Sequence, residues 1–186
     1  STLIDIIMGL LTPTKGKIFI DDIDLYDKKN ENFLINWRYS IAHVPQNIFL
    51  ADCSIENNIA FGVPENKIDF KKVLFASKNA KIHNLIKKFD LGYKTFVGER
   101  GISLSGGQLQ RIGIARALYR ENNILVFDEA TSALDVTTEN YIIKNINKVA
   151  KEKLLILVSH RLNNLTNCDL IYIINNGSIL ESGAPE

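Results

Sequence analysis

The sequence lacks the features of a membrane-spanning, secreted or disulfide-bonded chain. It contains only two cysteines, Cys53 and Cys168, and their separation fits neither a metal motif nor a disulfide framework, which suits a reducing cytosol. Its longest apolar runs, such as "LLILV", are far shorter than the roughly 20 residues of a membrane helix. Residues 3–11 are apolar, but they include Asp5 and carry neither a basic leader nor a small-residue cleavage site, so we do not expect a signal peptide.

An excess of either charge is also missing. Lysine and arginine number 22, aspartate and glutamate number 21, and the sequence has no basic run, repeat or low-complexity stretch. This near-balance argues against a protein that binds nucleic acid through bulk charge. The 186 residues, 46% of them hydrophobic, are enough for one globular domain with its own core.

Alternating strand and helix patterns organise the chain. Three apolar runs that end in polar residues are typical of strands buried on both faces of a parallel sheet: 41–46, 123–130 and 153–161. Helical patterns cover 70–80, 82–89, 108–119 and 137–150. "GKIFIDDIDL" alternates like a strand, and the tail around "INNGS" has the turn chemistry of a β-hairpin.

This alternation predicts an α/β fold with a mainly parallel sheet. Ligands of such sheets bind at the carboxyl ends of the strands, so the polar residues that end the three runs should share one edge: Gln46, Asp128 with Glu129, and His160. Nearly eighty mostly helical residues separate Gln46 from the Asp128 strand. Because that is too long for a simple crossover, we predict an inserted helical subdomain there.

Two motifs carry most of the chemistry. In "ILVFDE", Asp128 and Glu129 place adjacent carboxylates at the end of a buried strand, where one can hold Mg²⁺ and the other can orient a water attacking a phosphate. A strand that simply ends in a helix cap is the alternative. In "LSGGQLQRIGIARAL" (104–118), two glycines follow Ser105 at the start of a helix, so a phosphate can approach the backbone N–H groups. A serine N-cap beside a plain loop is the alternative there.

Read together, these strings resemble the signature motif and, in "ILVFDEATSALD", the Walker B motif and D-loop of ATP-binding cassette (ABC) proteins. "VPQ" with Gln46 resembles the family's Q-loop, and "LVSHR" with His160 resembles its switch-histidine loop. The motifs follow the family order and spacing over essentially the whole chain. The resemblance implies a P-loop NTPase (RecA-like) core, at 1–46 and 119–186, with an inserted α-helical signature subdomain at 47–118.

The resemblance also implies a role for each matching residue in binding ATP and Mg²⁺. Asp128 would bind Mg²⁺ through water, Glu129 would be the catalytic carboxylate that polarises the attacking water, and Gln46 would contact both Mg²⁺ and that water. His160 would contact the γ-phosphate and hold Glu129 in position. The signature residues and the D-loop aspartate would act across a dimer interface: Ser105, Gly106, Gly107, Gln108 and Asp135.

Several of these residues also have a structural interpretation. A histidine that ends a strand is commonly structural, Asp135 can cap the helix that follows it, and Gln46 can satisfy a loop backbone. His43 and His83 match no motif, and we expect structural or surface roles for them.

The start of the chain, "STLIDIIMGLLTPTKGKIFIDD", resembles the family's continuation of the phosphate-binding loop G-x-x-x-x-G-K-[ST]. Ser1 would then supply the Mg²⁺-binding hydroxyl and Thr2 the adjacent phosphate contact. We therefore expect the sequence to begin inside a Walker A motif and to be truncated at both ends. A helix cap is the alternative role for Ser1.

Two further segments resemble exporter sequences that face the membrane domains: "YKTFVGERGISLSGG", with Glu99 and Arg100, and "VPQNIFLADCSIENNIAFG" (44–62). A solvated ion pair is the alternative for Glu99 and Arg100. The sequence thus predicts the nucleotide-binding domain of an ABC exporter at the cytoplasmic face of the cell membrane. It would pair head to tail with a second cassette, be joined to transmembrane domains on the same polypeptide and bind no nucleic acid. A soluble ABC-type ATPase acting on DNA or ribosomes, and an inactive fragment lacking the P-loop glycines and lysine, remain alternatives.

Overall fold

The computed structural model describes residues 2–99 and 102–185 and has a mixed α/β architecture. The helices are α1 (Thr2–Ile7), α2 (Glu31–Ser40), α3 (Ile55–Ile59), α4 (Phe70–Asn79), α5 (His83–Ile86), α6 (Gly106–Tyr119) and α7 (Val136–Val149). The strands are β1 (Phe19–Ile20), β2 (Ile23–Asp24), β3 (Ile41–Val44), β4 (Cys53–Ser54), β5 (Phe96–Val97), β6 (Ile124–Asp128), β7 (Leu154–Val158), β8 (Ile171–Asn175) and β9 (Ser178–Gly183). In these residues no helix is long and apolar enough to cross a bilayer.

A three-stranded parallel sheet in the order β3–β6–β7 forms the centre of the molecule. Val44 is the register partner of Phe127, and Asp128 is the partner of Val158, so the carboxyl ends of all three strands lie side by side. This confirms the α/β fold and the parallel sheet that the three apolar runs predict.

Side chains on both faces of β3 and β6 are buried and those of β7 are mostly half-buried, which explains why the strands read as continuous apolar runs. On one face, Ile4 of α1 and Met8, which follows the helix, pack with Ile41, Ile124 and Val126. The other face belongs to a larger core that α6 and α7 cover. Its fully buried members include Val44 and Leu125 on the strands and Ile112, Ile142 and Ile146 on the helices.

Residues 47–99 contain the three helices α3, α4 and α5 and the paired strands β4 and β5. Helices α3 and α4 pack against α6, and their buried side chains, such as Ile59 and Val73, join the same core as the sheet residues. The predicted helix over 82–89 is shorter than expected, because only His83–Ile86 is helical.

The predicted hairpin of the tail and the predicted strand near the start differ in outcome. Strands β8 and β9 form the expected antiparallel hairpin around Asn176 and Gly177. The single strand predicted from "GKIFIDDIDL" is wrong. Asp21 and Asp22 have φ values of 47° and 65°, so the chain turns there and leaves two-residue strands on either side.

Candidate functional site

The carboxyl ends of the three parallel strands bring Gln46, Glu129 and His160 together. Gln46 Nε2 donates a hydrogen bond to Glu129 Oε2 at 3.0 Å, and His160 Nε2 lies 2.9 Å from Glu129 Oε1. Since a carboxylate only accepts, this contact assigns the imidazole proton to Nε2. The Glu129 carboxylate is therefore held from both sides, by an amide that follows β3 and an imidazole that follows β7.

Glu129 leaves its strand through a backbone conformation that is uncommon for a residue with a side chain. Its φ is 50°, in the left-handed region, which costs a non-glycine residue roughly 1–3 kcal/mol. Two hydrogen bonds hold the turn, since Glu129 N donates to Val158 O and Ser132 N donates to Glu129 O, each at 3.1 Å. Strain of this kind persists where the surrounding structure imposes it, often at a functional group.

Asp128 is the last residue of β6 and is only 6% exposed. In residues 2–99 and 102–185 no group of three or more histidine, cysteine, aspartate or glutamate side chains could hold a metal. The donors present are instead one buried carboxylate and the Gln46 Oε1 carbonyl, which stays available because Nε2 binds Glu129. This oxygen set fits a Mg²⁺ ion that keeps water ligands and shares substrate phosphates.

The amino terminus of α6 carries the signature-like residues. Ser105 caps the helix in a capping box with Gln108, whose Oε1 accepts a hydrogen bond from Ser105 N at 3.0 Å. Ser105 therefore caps the helix, as its structural interpretation predicts. Because the N–H groups of Gln108 and Leu109 bond Ser105, the N–H groups at the start of this 14-residue helix that can receive an anion are those of Gly106 and Gly107.

The two glycines at this helix start differ in their surroundings. A Cβ on Gly107 would lie 2.9 Å from the backbone oxygen of Ala133, closer than real Cβ atoms come. A Cβ on Gly106 would meet only the Ala133 Cβ, at 3.7 Å, which is ordinary contact. The fold of this chain therefore requires glycine at 107 but not at 106.

A cavity of about 460 Å³ lies between the start of α6 and the segment before α7. It is lined by Ser105, Gly106, Gly107, Arg111, Ala133, Leu134, Asp135 and Thr138. Asp135 caps α7, accepting a hydrogen bond from Thr138 N at 2.9 Å, as its structural interpretation predicts. Hydrogen bonds from Thr137 and Thr138 hold the pKa of the Asp135 carboxyl well below its usual range, so the cavity has a fixed negative charge beside the helix start.

Gln110, which the sequence analysis did not single out, connects these two regions. It is 5% exposed, its Nε2 donates to Ser132 Oγ at 3.0 Å, and its Oε1 accepts from Ala133 N at 2.9 Å. The signature helix is thereby tied to the loop that follows Glu129. One sequence contains no signal for this link, because the partners are more than twenty residues apart.

The predicted phosphate-contact residues at the start of the chain are only partly described. Ser1 lies outside the described residues, and Thr2 is the first, exposed residue of α1. Burial lowers the pKa of His43, an effect that the charges of Asp128 and of Asp5 in α1 only partly offset.

The two exporter-like segments pack against each other. Cys53 of β4 pairs with Val97 of β5. The next residue, Gly98, has a φ of 104°, and a Cβ at this position would lie 3.0 Å from the Asp52 Cα. Three aromatic rings of these segments are exposed: Phe49, Phe61 and Phe96. Glu99 is described, whereas Arg100 lies outside the described residues.

Comparison with known proteins assigns this architecture to a family. The family model described as "ABC transporter" matches residues 1–132. The chain is 40% identical over 183 residues to the putative multidrug export ATP-binding/permease protein YgaD of Bacillus subtilis, covering 98% of this chain and 30% of that protein. It is 41% identical over 186 residues to the alpha-hemolysin translocation ATP-binding protein HlyB of Escherichia coli, covering 98% and 25% respectively.

A solved structure agrees with the sequence relatives. A bacterial Atm1-family ABC exporter with ATP bound superposes with a TM-score of 0.89 at 35% identity, over 98% of this chain and 31% of that chain. The chain thus spans between a quarter and a third of the length of these proteins. The match confirms the fold class and the family resemblance, and we conclude that this chain belongs to the ABC transporter family.

Proposed function

We propose that this chain binds ATP with Mg²⁺ and hydrolyses it as the nucleotide-binding domain of an exporter. One observation carries the proposal: a strained Glu129 whose two carboxylate oxygens are held by Gln46 and His160 at the open edge of a parallel sheet. Each carboxylate oxygen has a second lone pair, so Glu129 can accept a hydrogen bond from a water while keeping both partners. Glu129 would then act as the base that activates a water for in-line attack on a γ-phosphate.

The metal side of the site would be formed by oxygen donors around Asp128. Asp128, Gln46 Oε1 and the Ser1 hydroxyl would hold Mg²⁺, and Thr2 would contact the phosphates of ATP. When bound, the ion would neutralise charge on the phosphates. His160, whose Nε2 lies 2.9 Å from Glu129 Oε1, would hold Glu129 in position and contact the γ-phosphate of bound ATP.

The second half of the site would act on ATP held mainly by another cassette. The start of α6 offers helix N–H groups to an anion. No described part of this chain fills the space beside the Gly106 Cα closely, so a phosphate could approach the backbone there. Ser105, Gly107, Gln108 and Asp135 border or support the same opening. A head-to-tail pair of cassettes would place this opening over its partner's phosphates.

The exposed aromatic rings Phe49, Phe61 and Phe96 would face the transmembrane domains of the same transporter, beside Glu99. Residues 47–118 would move as the helical subdomain relative to a core of 1–46 and 119–186. Arg116 of α6 supports such coupling, since it donates to Phe49 O at 3.1 Å and to Asn58 O at 2.9 Å. The protein would then act at the cytoplasmic face of the membrane.

The test is ATP hydrolysis by the full-length protein that contains this chain, purified in lipid nanodiscs. Glu129→Gln is expected to lower kcat by about a hundredfold or more, with ATP binding retained. Glu152→Gln, at an exposed position after α7, is the matched control and should leave kcat unchanged. Hydrolysis that survives Glu129→Gln, or that needs no divalent cation, would refute the proposed site.

A further inference from the structure

A buried carboxylate that the proposed site does not use lies in the first turn of α7. Glu139 is 3% exposed. A glutamate is almost never fully buried unless charged or hydrogen-bonding partners surround it. Its partners therefore show what the position is for.

Glu139 is fully engaged by three side chains. Its Oε1 accepts from Thr131 Oγ1 at 2.6 Å and from Asn164 Nδ2 at 2.8 Å, and its Oε2 forms an ion pair with Arg161. Burial by itself raises the pKa of Glu139, but the hydrogen bonds from these three partners outweigh it, so the pKa is lowered. The side chain is thus a charged anchor with several bonds to two different loops.

One of these loops begins at the proposed catalytic carboxylate. Thr131 lies two residues after Glu129, and Arg161 Nη2 also donates to the backbone oxygen of Ser132 at 3.3 Å. The anchor therefore fixes the loop that follows β6 to helix α7.

The other loop contains His160. Arg161 is its direct neighbour, and Arg161 N donates to Ser159 Oγ at 3.0 Å on the other side of the histidine. Asn164 Nδ2 donates to the same Ser159 Oγ at 3.2 Å. Both chain neighbours of His160 are thus connected to Glu139.

The His160 side chain is exposed and makes few contacts of its own with the described residues. Its side chain is 85% exposed, and its described contact is the one hydrogen bond to Glu129. An exposed side chain with one such contact depends on its backbone for its position. We propose that Glu139 is a positioning residue that fixes the His160 loop to the Glu129 loop and so keeps the imidazole within hydrogen-bonding reach of the carboxylate. This rests on the proposed function.

A double-mutant cycle separates this role from a merely structural one. In the full-length transporter, Glu139→Gln is expected to lower kcat for ATP about tenfold to a hundredfold while KM changes less than about twofold. In a His160→Ala background the same substitution should lower kcat by less than about threefold, because the group it positions is gone. Thr131→Val, which removes one of the hydrogen bonds, is a milder variant with the same expected non-additivity.

A control and a second measurement keep the outcome clear. Ile146→Val creates a small cavity on the same helix, away from the anchor, and should leave kcat unchanged. Hydrogen exchange should accelerate in residues 159–164 of Glu139→Gln, and not in the second half of α7. This readout also decides the matter if His160→Ala is too slow to measure.

Full additivity in the cycle, unchanged exchange in residues 159–164, or an equal loss in Ile146→Val would each overturn the positioning role. These failures differ from failure of the proposed function, which would show as hydrolysis insensitive to Glu129→Gln. In that case the wild-type rate itself would not depend on the residue that His160 contacts.

Discussion

Replacing each signature glycine by alanine separates a glycine that the fold needs from one that a ligand needs. Gly106 and Gly107 are neighbours at the start of α6, and neither has a positive φ. Alanine is therefore compatible with both backbones. The added methyl group would meet ordinary contact at 106 but would approach Ala133 O at 2.9 Å at 107.

The expected stabilities follow from these contacts. Gly106→Ala should stabilise the domain by about 0.4–1 kcal/mol, because alanine reduces the freedom of the unfolded chain. Gly107→Ala gains the same stabilisation from the unfolded chain, but its methyl group would overlap with the Ala133 backbone, which costs about 1–3 kcal/mol. Its net effect is destabilising by up to roughly 2.6 kcal/mol. At about 2–4 °C per kcal/mol for a domain of this size, the two variants should melt on opposite sides of the wild type.

Their activities should not follow their stabilities. If phosphate approaches the helix start, the methyl group of Gly106→Ala occupies that space, and ATP hydrolysis should fall about tenfold or more despite the higher melting temperature. Thermal unfolding by fluorescence and steady-state ATPase of the full-length transporter measure the two effects. A Gly106→Ala variant with wild-type kcat and KM would refute the close approach of phosphate at this position.

Three further predictions concern packing and pH. Gly113→Ala should lower the melting temperature, because its Cβ would lie 2.4 Å from Ile48 Cδ1 and the overpacking cost of about 1–3 kcal/mol exceeds a gain in helix propensity of about 1 kcal/mol. Adding Ile48→Val should restore the melting temperature. A higher melting temperature in the single variant would contradict the geometry. Asn58→Ala should destabilise the domain by about 2–4 kcal/mol, because the buried Asn58 side chain forms hydrogen bonds with the N–H and the C=O of Ala51. A melting temperature lowered by less than about one degree would contradict this prediction. The lowered pKa of Glu139 makes its stabilisation fully present above its ordinary value near 4.5 and lost as the pH falls through the lower folded value. The melting-temperature gap between wild type and Glu139→Gln should therefore be largest at pH 7 and shrink on acidification, and a constant gap would contradict the charged anchor.

Sequence patterns predicted the sheet well because both of its faces are buried. The runs at 41–46, 123–130 and 153–161 contain β3, β6 and β7, and their polar ends mark the site edge. Helices α6 and α7 were also predicted to within about two residues, since each spans 14 residues and carries a clear cap.

Short elements were predicted less well, for local reasons. The turn at Asp21 and Asp22 depends on two aspartates in the left-handed region, which alternation alone does not reveal. The helix at His83–Ile86 lacks a side-chain cap at Ile82 and ends after one turn. A periodic pattern shows which face is apolar but not where such a segment stops.

The connections within the site could not be predicted from one sequence. Gln110 and Glu139 are polar residues on helices, and a sequence pattern assigns such residues to the solvent. Their burial depends on partners such as Ser132 and Asn164, which lie 22 and 25 residues away along the chain. Only the fold shows that these residues link the loops that carry the functional groups.

A single-turnover measurement of ATP hydrolysis tests the central claim most directly. It isolates the chemical step in the full-length transporter, so slow product release cannot mask the role of Glu129. The account predicts that Glu129→Gln binds ATP but cleaves its γ-phosphate at least about a hundredfold more slowly than wild type, while Glu152→Gln cleaves it at the wild-type rate. Cleavage by Glu129→Gln at the wild-type rate would contradict the assignment of the Gln46–Glu129–His160 cluster as the hydrolytic site.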